Sequence, residues 1–319
     1  MAVLQSDSCC DVSRNHKLLD KMTTKLISYP DKKLWMAAIK PPMYSVAIMP
    51  IWVGTAVANA ETGVIHGAVF STFLASAILI LAWENLSNDV FDSETGIDKN
   101  KQHSLVNLTA NKSLIFWLAN SCLGLGLLGI LTITLWQQDL TVMGIILLCC
   151  AVGYMYQGPP FRLGYQGLGE ILCFFAFGPL GVTAAYYSQT QTWTTTSLAA
   201  SVLVGIATSL ILFCSHFHQV KDDIAAGKRS PIVRLGTARG AKVLTCLTAS
   251  IYPLSLLFVL LGMFPVWTLL SWVSLPFAFK LCSHVLQNHN QPEKVSNCKF
   301  IAVAVHFWSC LLFGLGFML

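Results

Sequence analysis

The chain has 319 residues, of which 55% are hydrophobic and only 11% are charged, and its net charge at pH 7 is +5. A soluble domain carries roughly 25% charged residues, so this composition excludes an ordinary soluble protein and indicates a polytopic membrane protein. The small positive charge does not indicate nucleic-acid binding, because the basic residues lie between apolar runs and form no basic stripe. The eleven cysteines lie mostly in apolar runs and form no CxxC pair, which argues against a disulfide framework.

Taken in chain order, the sequence predicts an all-α polytopic membrane protein with nine transmembrane helices. Residues 1–34 are polar and lack the apolar core of a signal peptide, so we interpret them as an N-terminal tail. Residues 35–319 are predicted to form a single transmembrane domain. A transmembrane helix needs about 20 mostly apolar residues. Nine segments satisfy this requirement: 41–60, 67–88, 113–136, 139–157, 168–187, 196–218, 241–262, 265–286 and 299–318.

The distribution of basic residues predicts which helix ends face the cytoplasm. If the N-terminus is cytoplasmic, all 20 Lys and Arg residues lie in or next to the inner segments. Those segments are 1–40, 89–112, 158–167, 219–240 and 287–298. One span more or fewer would move basic residues to the outer side. We therefore expect a central cavity between the helices to open to the cytoplasmic face.

Two of the inner segments are rich in carboxylates. The first, "NDVFDSETGID", covers residues 88–98, and the second, "HQVKDDIAAGKRSPIVRLG", covers residues 218–236. Carboxylates at a membrane boundary repel one another and are costly to desolvate. Four spans separate the two segments, and because this number is even, both segments are predicted to open on the same face and to converge there.

The spacing of oxygen-bearing side chains in these segments predicts a magnesium site. Asn88 and Asp92 are four residues apart, as are Gln219 and Asp223, so each pair projects from one face of a helix end. Mg²⁺ usually takes only one or two protein carboxylates and shares the phosphates of a substrate. Nearby Lys and Arg residues would complete the charge balance around such phosphates.

The same stretches resemble a known family. "NDVFDSETGID" resembles the first, NDxxD-type motif of the UbiA superfamily of intramembrane prenyltransferases, and "QVKDDIAAGKRSPIVRLG" resembles its second Asp-rich loop. The resemblance begins at "AAIKPPMYSVAIMPIWVG" and covers nearly the whole chain. The stretches "GIDKNKQHSLVNLT" and "DIAAGKRSPIVRLG" are similar to the 1,4-dihydroxy-2-naphthoate prenyltransferases, and most of all to the phytyl-transferring cyanobacterial branch.

The resemblance implies an activity. A phytyl or other polyprenyl group would pass from its diphosphate to 1,4-dihydroxy-2-naphthoate with loss of CO₂ and with Mg²⁺ as cofactor, in phylloquinone or menaquinone biosynthesis. The enzyme would lie in membrane lipid, with no obligatory protein partner evident. No long Ser- and Arg-rich transit segment is present, which favours a bacterial membrane, in a cyanobacterium the inner or the thylakoid membrane.

The resemblance also assigns roles to individual residues. Its first motif matches Asn88, Asp89 and Asp92, with Asp98 as the distal carboxylate, and its second motif ends at Asp223. The superfamily often has Asp where this chain has Gln219, whose amide oxygen is a possible Mg²⁺ ligand without charge. The expected contacts of the diphosphate are the following residues: Asn85, Lys99, Lys101, Arg162, Lys221, Lys228 and Arg229.

The stretch "YMYQGPPFRLGYQGLGE", residues 154–170, resembles the family's loop between spans four and five. Arg162 and Lys221 are candidate catalytic cations. Either Tyr154 or Tyr156 is expected to turn its ring toward an allylic cation, a cation–π contact. The other reading of each tyrosine is a member of the aromatic belt at the membrane interface.

Glu84 lies one helical turn before the first motif, inside a predicted span. An ionisable group within a span is a candidate functional residue, and hydrogen-bonded packing is the alternative reading. The sequence leaves other acceptors open, namely homogentisate, 4-hydroxybenzoate and a chlorophyllide. An ion-coupled transporter is a more remote alternative. Its ionisable groups are expected near the bilayer midplane within paired repeats, whereas those of this sequence lie at one face of the membrane.

Overall fold

The structure is a computed structural model that describes residue 36 and residues 39–97 and 104–319. All regular secondary structure in this described part is helical, which confirms the predicted all-α architecture. The predicted tail of residues 1–34 lies outside the described residues, and so do Asp98, Lys99 and Lys101.

Twelve helices follow one another along the described part of the chain, and a short 3₁₀ turn at Pro41–Tyr44 leads into the first. Their bounds are α1 Ser45–Thr62, α2 Gly67–Thr95, α3 Leu105–Thr109, α4 Lys112–Gln137, α5 Thr141–Gln157, α6 Gly169–Thr190, α7 Thr195–Ala225, α8 Pro231–Leu235, α9 Thr237–Leu260, α10 Val266–Asn288, α11 Pro292–Val295 and α12 Cys298–Met318. Helix α6 contains one π-helical segment, Ala176–Leu180, and α10 begins as a 3₁₀ helix over Val266–Ser274.

Each predicted span coincides with one apolar helix. Eight of the helices in the described part are long and apolar enough to cross a membrane, and the chain is an integral membrane protein. The ninth, α5, is also apolar but has only 17 residues. The number of spans and the cytoplasmic position of the N-terminus stay predictions.

The two acidic stretches differ from the expectation in one respect. The predicted spans end at residues 88 and 218, whereas α2 continues to Thr95 and α7 to Ala225. The helices thus continue through both i,i+4 pairs, as the helix-end spacing of Asn88 with Asp92 and of Gln219 with Asp223 predicts, and only the ends of the apolar spans were placed earlier. Helix α2 is capped by Gly96, whose φ of 75° is the left-handed conformation that glycine adopts without strain.

Small residues let α1, α6 and α7 approach closely. A Cβ atom on Gly54 of α1 would lie 2.4 Å from the carbonyl oxygen of Val182 in α6. A Cβ atom on Gly178 would lie 2.6 Å from the carbonyl oxygen of Ser201 in α7. Contacts of this kind are typical of helix packing in membranes, where small side chains bring two backbones together.

The buried apolar side chains form two clusters. One joins α1, α7, α9, α10 and α12, and the other joins α2, α4, α5 and the end of α6. Helices α2 and α4 pack along their lengths, as do α1 and α12. A cavity lies where α1, α2, α5, α6 and α7 face one another, so the two clusters form the scaffold around it.

At the helix ends remote from the acidic stretches, hydrogen bonds around Glu61, near the end of α1, join neighbouring helices. Its Oε2 accepts a hydrogen bond of 2.5 Å from the Tyr186 hydroxyl, and its Oε1 accepts one of 2.9 Å from Thr194. Gln189 accepts a hydrogen bond from the backbone N–H of His66 at 2.8 Å. Glu61 thus links α1 to α6 and α7 at the end remote from the acidic stretches.

Candidate active site

The cavity has a volume of about 1110 Å³ and a strongly asymmetric lining. Apolar side chains such as Phe73, Ile80, Ile146, Phe177 and Ile211 line much of it. Polar and charged side chains come from α2, α5, α7 and the segment after α7. They include Glu84, Asn85, Asn88, Asp89, Asp92, Gln157, His218, Gln219, Asp222, Asp223 and Lys228, and Lys40 and Lys299 lie in the lining as well.

The structure brings the two acidic stretches together in this cavity. Asn88 and Asp92 line it from α2, and Gln219 and Asp223 line it from α7. The stretches are more than a hundred residues apart in the sequence. Two short rows of oxygen atoms thus face one polar region, with a basic residue, Lys228, beside them.

Asp89 differs from its neighbours because its carboxylate already has a structural role. It is 2% exposed. Its Oδ2 accepts a hydrogen bond of 2.9 Å from the backbone N–H of Leu105, the first residue of α3. Its Oδ1 lies 3.8 Å from Nζ of Lys40. Asp89 therefore caps α3, and its substitution would change the local structure as well as the charge in the cavity.

Asp92 is oriented by donors from the end of α5 and from the segment that follows it. Its Oδ1 accepts hydrogen bonds from Nε2 of Gln157 and, at 3.1 Å, from the hydroxyl of Tyr165. The Tyr165 hydroxyl also lies 2.6 Å from Oγ1 of Thr95. Burial, together with the nearby Asp92 carboxylate, raises the pKa of the Tyr165 phenol, so this group remains protonated at neutral pH. Asp92 is thus held by donors that do not titrate near neutrality.

Asp223 is held by a buried histidine. Oδ2 of Asp223 lies 3.2 Å from Nδ1 of His216, and Nε2 of His216 lies 3.2 Å from Oε1 of Glu170 at the start of α6. The other oxygen, Oδ1, is buried without a hydrogen bond in the described structure and lies 3.8 Å from Nζ of Lys228. His216 therefore connects α6 to α7 and orients the carboxylate of the second acidic stretch.

These residues fit a magnesium ion that is shared with phosphate groups. No three His, Cys, Asp or Glu side chains among the described residues lie close enough to hold a metal by themselves. Mg²⁺ does not need such a cluster, because it typically keeps several waters and binds one or two carboxylates plus substrate phosphates. The buried Oδ1 of Asp223, which has no hydrogen bond, and the oriented carboxylate of Asp92 are oxygen donors of the required kind.

The two candidate tyrosines lie in different environments. Tyr156 lines the cavity, and its ring packs against Gly164 and Gly169. A Cβ atom on either glycine would lie within 2.8 Å of Cε2 of this ring. Tyr154 is 39% exposed and donates a hydrogen bond of 2.7 Å to the carbonyl of Pro159. Only Tyr156 of the two is placed to meet a molecule in the cavity.

The predicted cations are also distributed unequally. Lys228 is buried, lines the cavity and places its Nζ 5.6 Å from the ring centroid of Tyr165. Lys221 and Arg229 are exposed and do not line the cavity. Arg162 lies outside the lining too and pairs with Glu94 at 3.2 Å. Asn85 lines the cavity, and its buried Nδ2 has no hydrogen-bond partner in the described structure.

Sequence reasoning missed several residues that shape this site. Gln157 and Tyr165 orient Asp92, and Glu170 and His216 orient Asp223. A signal existed for Glu170, a carboxylate at the start of an apolar helix. His216 and Asp223 are seven residues apart and share a helical face, but nothing in the sequence indicates that Glu170 contacts the same histidine.

Comparisons with known proteins agree with this geometry. Residues 47–311 match the model of the UbiA prenyltransferase family. The chain is 57% identical over 286 residues to 2-carboxy-1,4-naphthoquinone phytyltransferase of Synechocystis sp., covering 90% of this chain and 93% of that protein. It is 44% identical to the chloroplastic 2-carboxy-1,4-naphthoquinone phytyltransferase of Arabidopsis thaliana, covering 87% of this chain and 75% of that protein.

A solved structure shares the fold. The UbiA homologue from Archaeoglobus fulgidus bound to GPP and Mg²⁺ aligns with a TM-score of 0.54 at 14% identity, covering 88% of this chain and 99% of that chain. At this identity the likeness concerns the fold alone. With the family match over most of its length and the two similar phytyltransferases, the chain belongs to the UbiA prenyltransferase family.

Proposed function

We propose that this prenyltransferase transfers a phytyl or related polyprenyl group from its diphosphate to 1,4-dihydroxy-2-naphthoate, with loss of CO₂ and with Mg²⁺ as cofactor. The observation that carries the proposal is the pair of oxygen-bearing helix ends, α2 and α7, that face one polar region of an otherwise apolar cavity. The 57% identity to a naphthoquinone phytyltransferase supports the choice of prenyl group and acceptor.

In this proposal the polar end of the cavity binds the diphosphate. Asn88, Asp92, Gln219 and Asp223 would hold Mg²⁺, which neutralises the charge that develops on the leaving diphosphate. Lys228 lies beside Asp223 and would contact the phosphate oxygens. Hydrogen bonds already hold the carboxylates of Asp92 and Asp223 in position, so little reorganisation is needed as charge develops during the reaction.

The apolar part of the cavity would receive the prenyl chain. The C–O bond to the diphosphate breaks to give an allylic cation, and the ring carbon that bears the carboxylate attacks it. A C–C bond forms, and the carboxylate leaves as CO₂, which restores the aromatic ring. Apolar walls exclude water that would otherwise capture the cation, and the ring of Tyr156 would stabilise it from the side.

The proposal is tested by turnover of the purified enzyme in lipid. The enzyme would be supplied with Mg²⁺, phytyl diphosphate or a longer polyprenyl diphosphate, and one of three acceptors: dihydroxynaphthoate, homogentisate or 4-hydroxybenzoate. Mass spectrometry should detect a decarboxylated, prenylated naphthoquinol. Product with homogentisate or 4-hydroxybenzoate, and none with dihydroxynaphthoate, would contradict the proposed acceptor.

The cellular membrane is part of the same proposal. The similar Synechocystis phytyltransferase comes from a cyanobacterium, and a prenyl donor of this length partitions into lipid. We propose the inner or thylakoid membrane of a cyanobacterium as the site of action. Fractionation of these two membranes, followed by the turnover assay on each, would locate the enzyme.

The uncharged Gln219 gives a prediction about metal affinity. An amide oxygen brings no net charge to Mg²⁺, so we expect Gln219→Asp to lower the Mg²⁺ concentration needed for half-maximal rate. The residue shares one helical face with Asp223, and both line the cavity. A Mg²⁺ titration at saturating prenyl diphosphate measures the effect. An unchanged Mg²⁺ requirement with a raised KM for the prenyl diphosphate would show instead that the amide NH₂ contacts a phosphate oxygen.

The two tyrosines give a second prediction. If the ring of Tyr156 stabilises the cation, Tyr156→Leu should lower kcat by roughly 30-fold, because a desolvated cation–π contact contributes about 2 kcal/mol. Tyr156→Phe keeps the ring and should retain most of the activity. Tyr154→Leu should change kcat by less than about twofold, since that side chain is exposed and lies outside the cavity lining. Equal losses in the two leucine variants would contradict the placement.

A further inference from the structure

Glu84 is a carboxyl group of the cavity that the proposed reaction has not yet used. It lies in α2 four residues before Asn88, within the part of the helix that spans the membrane, and its side chain lines the cavity. No hydrogen bond or ion pair of the described residues involves Glu84, in contrast to Asp89 and Asp92 on the same helix.

The walls around Glu84 leave room for a ligand. Gly153 of α5 faces it, and a Cβ atom there would lie 3.7 Å from Cδ of Glu84 and 3.9 Å from its Oε1. Gly153 thus lets α5 pack close to Glu84, and the open space at the carboxyl group is that of the cavity, which both residues line. Cys149, Cys173 and the buried Trp83 complete the neighbouring wall. These are flat or small apolar surfaces, which suit an aromatic ring.

A carboxyl group in such surroundings is costly without a partner. Ionisable side chains inside a membrane span are rare and typically pair with another group or with a substrate. The next residue, Asn85, also lines the cavity, and its buried Nδ2 has no hydrogen-bond partner in the described structure. A carboxyl group that lines the cavity and that the protein leaves without a partner indicates that a bound molecule satisfies it.

The position along α2 identifies which molecule this is. Four helical residues correspond to about 6 Å, so Glu84 lies about that distance deeper than Asn88. In the proposed function the diphosphate binds at Asn88 and Asp92. The attacking ring carbon must come within about 3.5 Å of the prenyl carbon that is bonded to the diphosphate. When an aromatic ring lies beside this prenyl carbon, its substituents are within reach of Glu84.

We propose that Glu84 recognises the aromatic acceptor by accepting a hydrogen bond from one of its ring hydroxyl groups. The inference rests on the proposed function and adds the residue that selects the acceptor. A carboxylate that accepts this hydrogen bond increases electron density in the ring and so makes the attacking carbon a better nucleophile. Glu84 itself forms and breaks no covalent bond.

The same carboxylate orients the acceptor. It repels the acceptor's own carboxylate, which must therefore point away from Glu84 when a hydroxyl group points toward it. Lys40, Lys228 and Lys299 line the polar part of the cavity and supply positive charge there. This arrangement favours phenolic acceptors in which the reacting carbon bears a carboxylate and a hydroxyl group on another ring carbon points toward Glu84.

The test compares wild-type enzyme with Glu84→Leu and Glu84→Gln, in lipid and with saturating Mg²⁺. We expect Glu84→Leu to lower kcat/KM for dihydroxynaphthoate by roughly 10- to 100-fold, the range for loss of a hydrogen bond to a charged group. Glu84→Gln should lose less, because its amide oxygen still accepts a hydrogen bond. The KM for the prenyl diphosphate should stay within about twofold of the wild-type value.

Two acceptor analogues locate the contact. 1-Hydroxy-2-naphthoate and 4-hydroxy-2-naphthoate each keep one of the two hydroxyl groups and are measured as competitive inhibitors against dihydroxynaphthoate. The analogue that keeps the hydroxyl bound by Glu84 should lose affinity in Glu84→Leu, whereas the other analogue should bind the two enzymes equally. Equal effects on both analogues, or none on either, would overturn the assignment.

A matched control separates this effect from general damage. Glu61→Gln also alters a single carboxylate, at the opposite ends of the helices, and should leave the acceptor constants unchanged. A loss in Glu84→Leu that affects the prenyl diphosphate and the acceptor equally would overturn the inference, as would unchanged acceptor constants. Wild-type turnover with dihydroxynaphthoate tests the proposed function by itself, so the two failures are distinguishable.

Discussion

Asp92→Ala is expected to form the prenylated product at least about 10²-fold more slowly than the wild type, the typical effect of removing one group that stabilises developing charge. The carboxylate lines the polar end of the cavity, and Gln157 and Tyr165 orient it. Its loss would remove the magnesium ligand that is proposed on α2. The rate is measured at saturating substrates and a fixed Mg²⁺ concentration.

Asp92→Asn distinguishes charge from structure. It keeps the shape of the side chain and an oxygen that accepts hydrogen bonds, so a folding defect should be smaller than in Asp92→Ala. A comparable loss of rate in both variants, at an unchanged melting temperature, would assign the effect to the missing charge. Asp89 is less suitable for this test, because it caps α3 and lies near Lys40.

Glu61→Gln is the control for this experiment as well. Glu61 lies at the opposite ends of the helices and binds Tyr186 and Thr194. We expect its rate to stay within about twofold of the wild type, since glutamine keeps an oxygen that accepts a hydrogen bond at this position and Glu61 does not line the cavity. A loss as large as that of Asp92→Ala would mean that the catalytic end of the cavity has been assigned to the wrong face.

Removal of divalent metal is the second change with a large expected effect. Excess chelator should lower the rate by at least about 10²-fold, because a metal that stabilises a leaving group contributes several kcal/mol to the transition state. Added Mg²⁺ should restore the rate. In the described part of the chain no cluster of protein ligands holds a metal alone, so the ion is expected to bind together with the diphosphate.

The coupled binding of Mg²⁺ and the prenyl diphosphate can be measured without turnover. The prenyl diphosphate should raise the melting temperature of the enzyme in the presence of Mg²⁺ and have little effect in chelator, since a ligand stabilises the folded state in proportion to its binding. The Asp223→Asn variant should show a smaller shift. Full turnover in excess chelator would exclude the magnesium site proposed between α2 and α7.

Much of the fold could be predicted from local sequence patterns. Each apolar run is long enough to predict its own helix, and the structure has one helix for each predicted span. The predicted apolar spans end before α2 and α7 do, although the spacing of the polar residues that follow was interpreted as that of helix ends. The cavity that these helix ends line is formed by several distant segments, and local sequence patterns do not show it.

The site could be predicted only in part. Helical periodicity by itself places Asn88 with Asp92, and Gln219 with Asp223, on common faces. It could not distinguish Tyr154 from Tyr156, which lie two residues apart and point in different directions. The packing of Gly164 and Gly169 against the Tyr156 ring decides that question.

The sequence by itself determined the all-helical membrane class, the family and the two acidic stretches, because each of these depends on residues that are near one another in the chain. Only the tertiary structure decided which cations reach the cavity, that Gln157 and Tyr165 orient Asp92, and that His216 connects Glu170 to Asp223. Except for the contact of His216 with Asp223 within α7, these contacts join different segments of the chain, and small residues such as Gly178 let α6 and α7 pack closely. The spacing of residues in the sequence does not show how closely two helices pack.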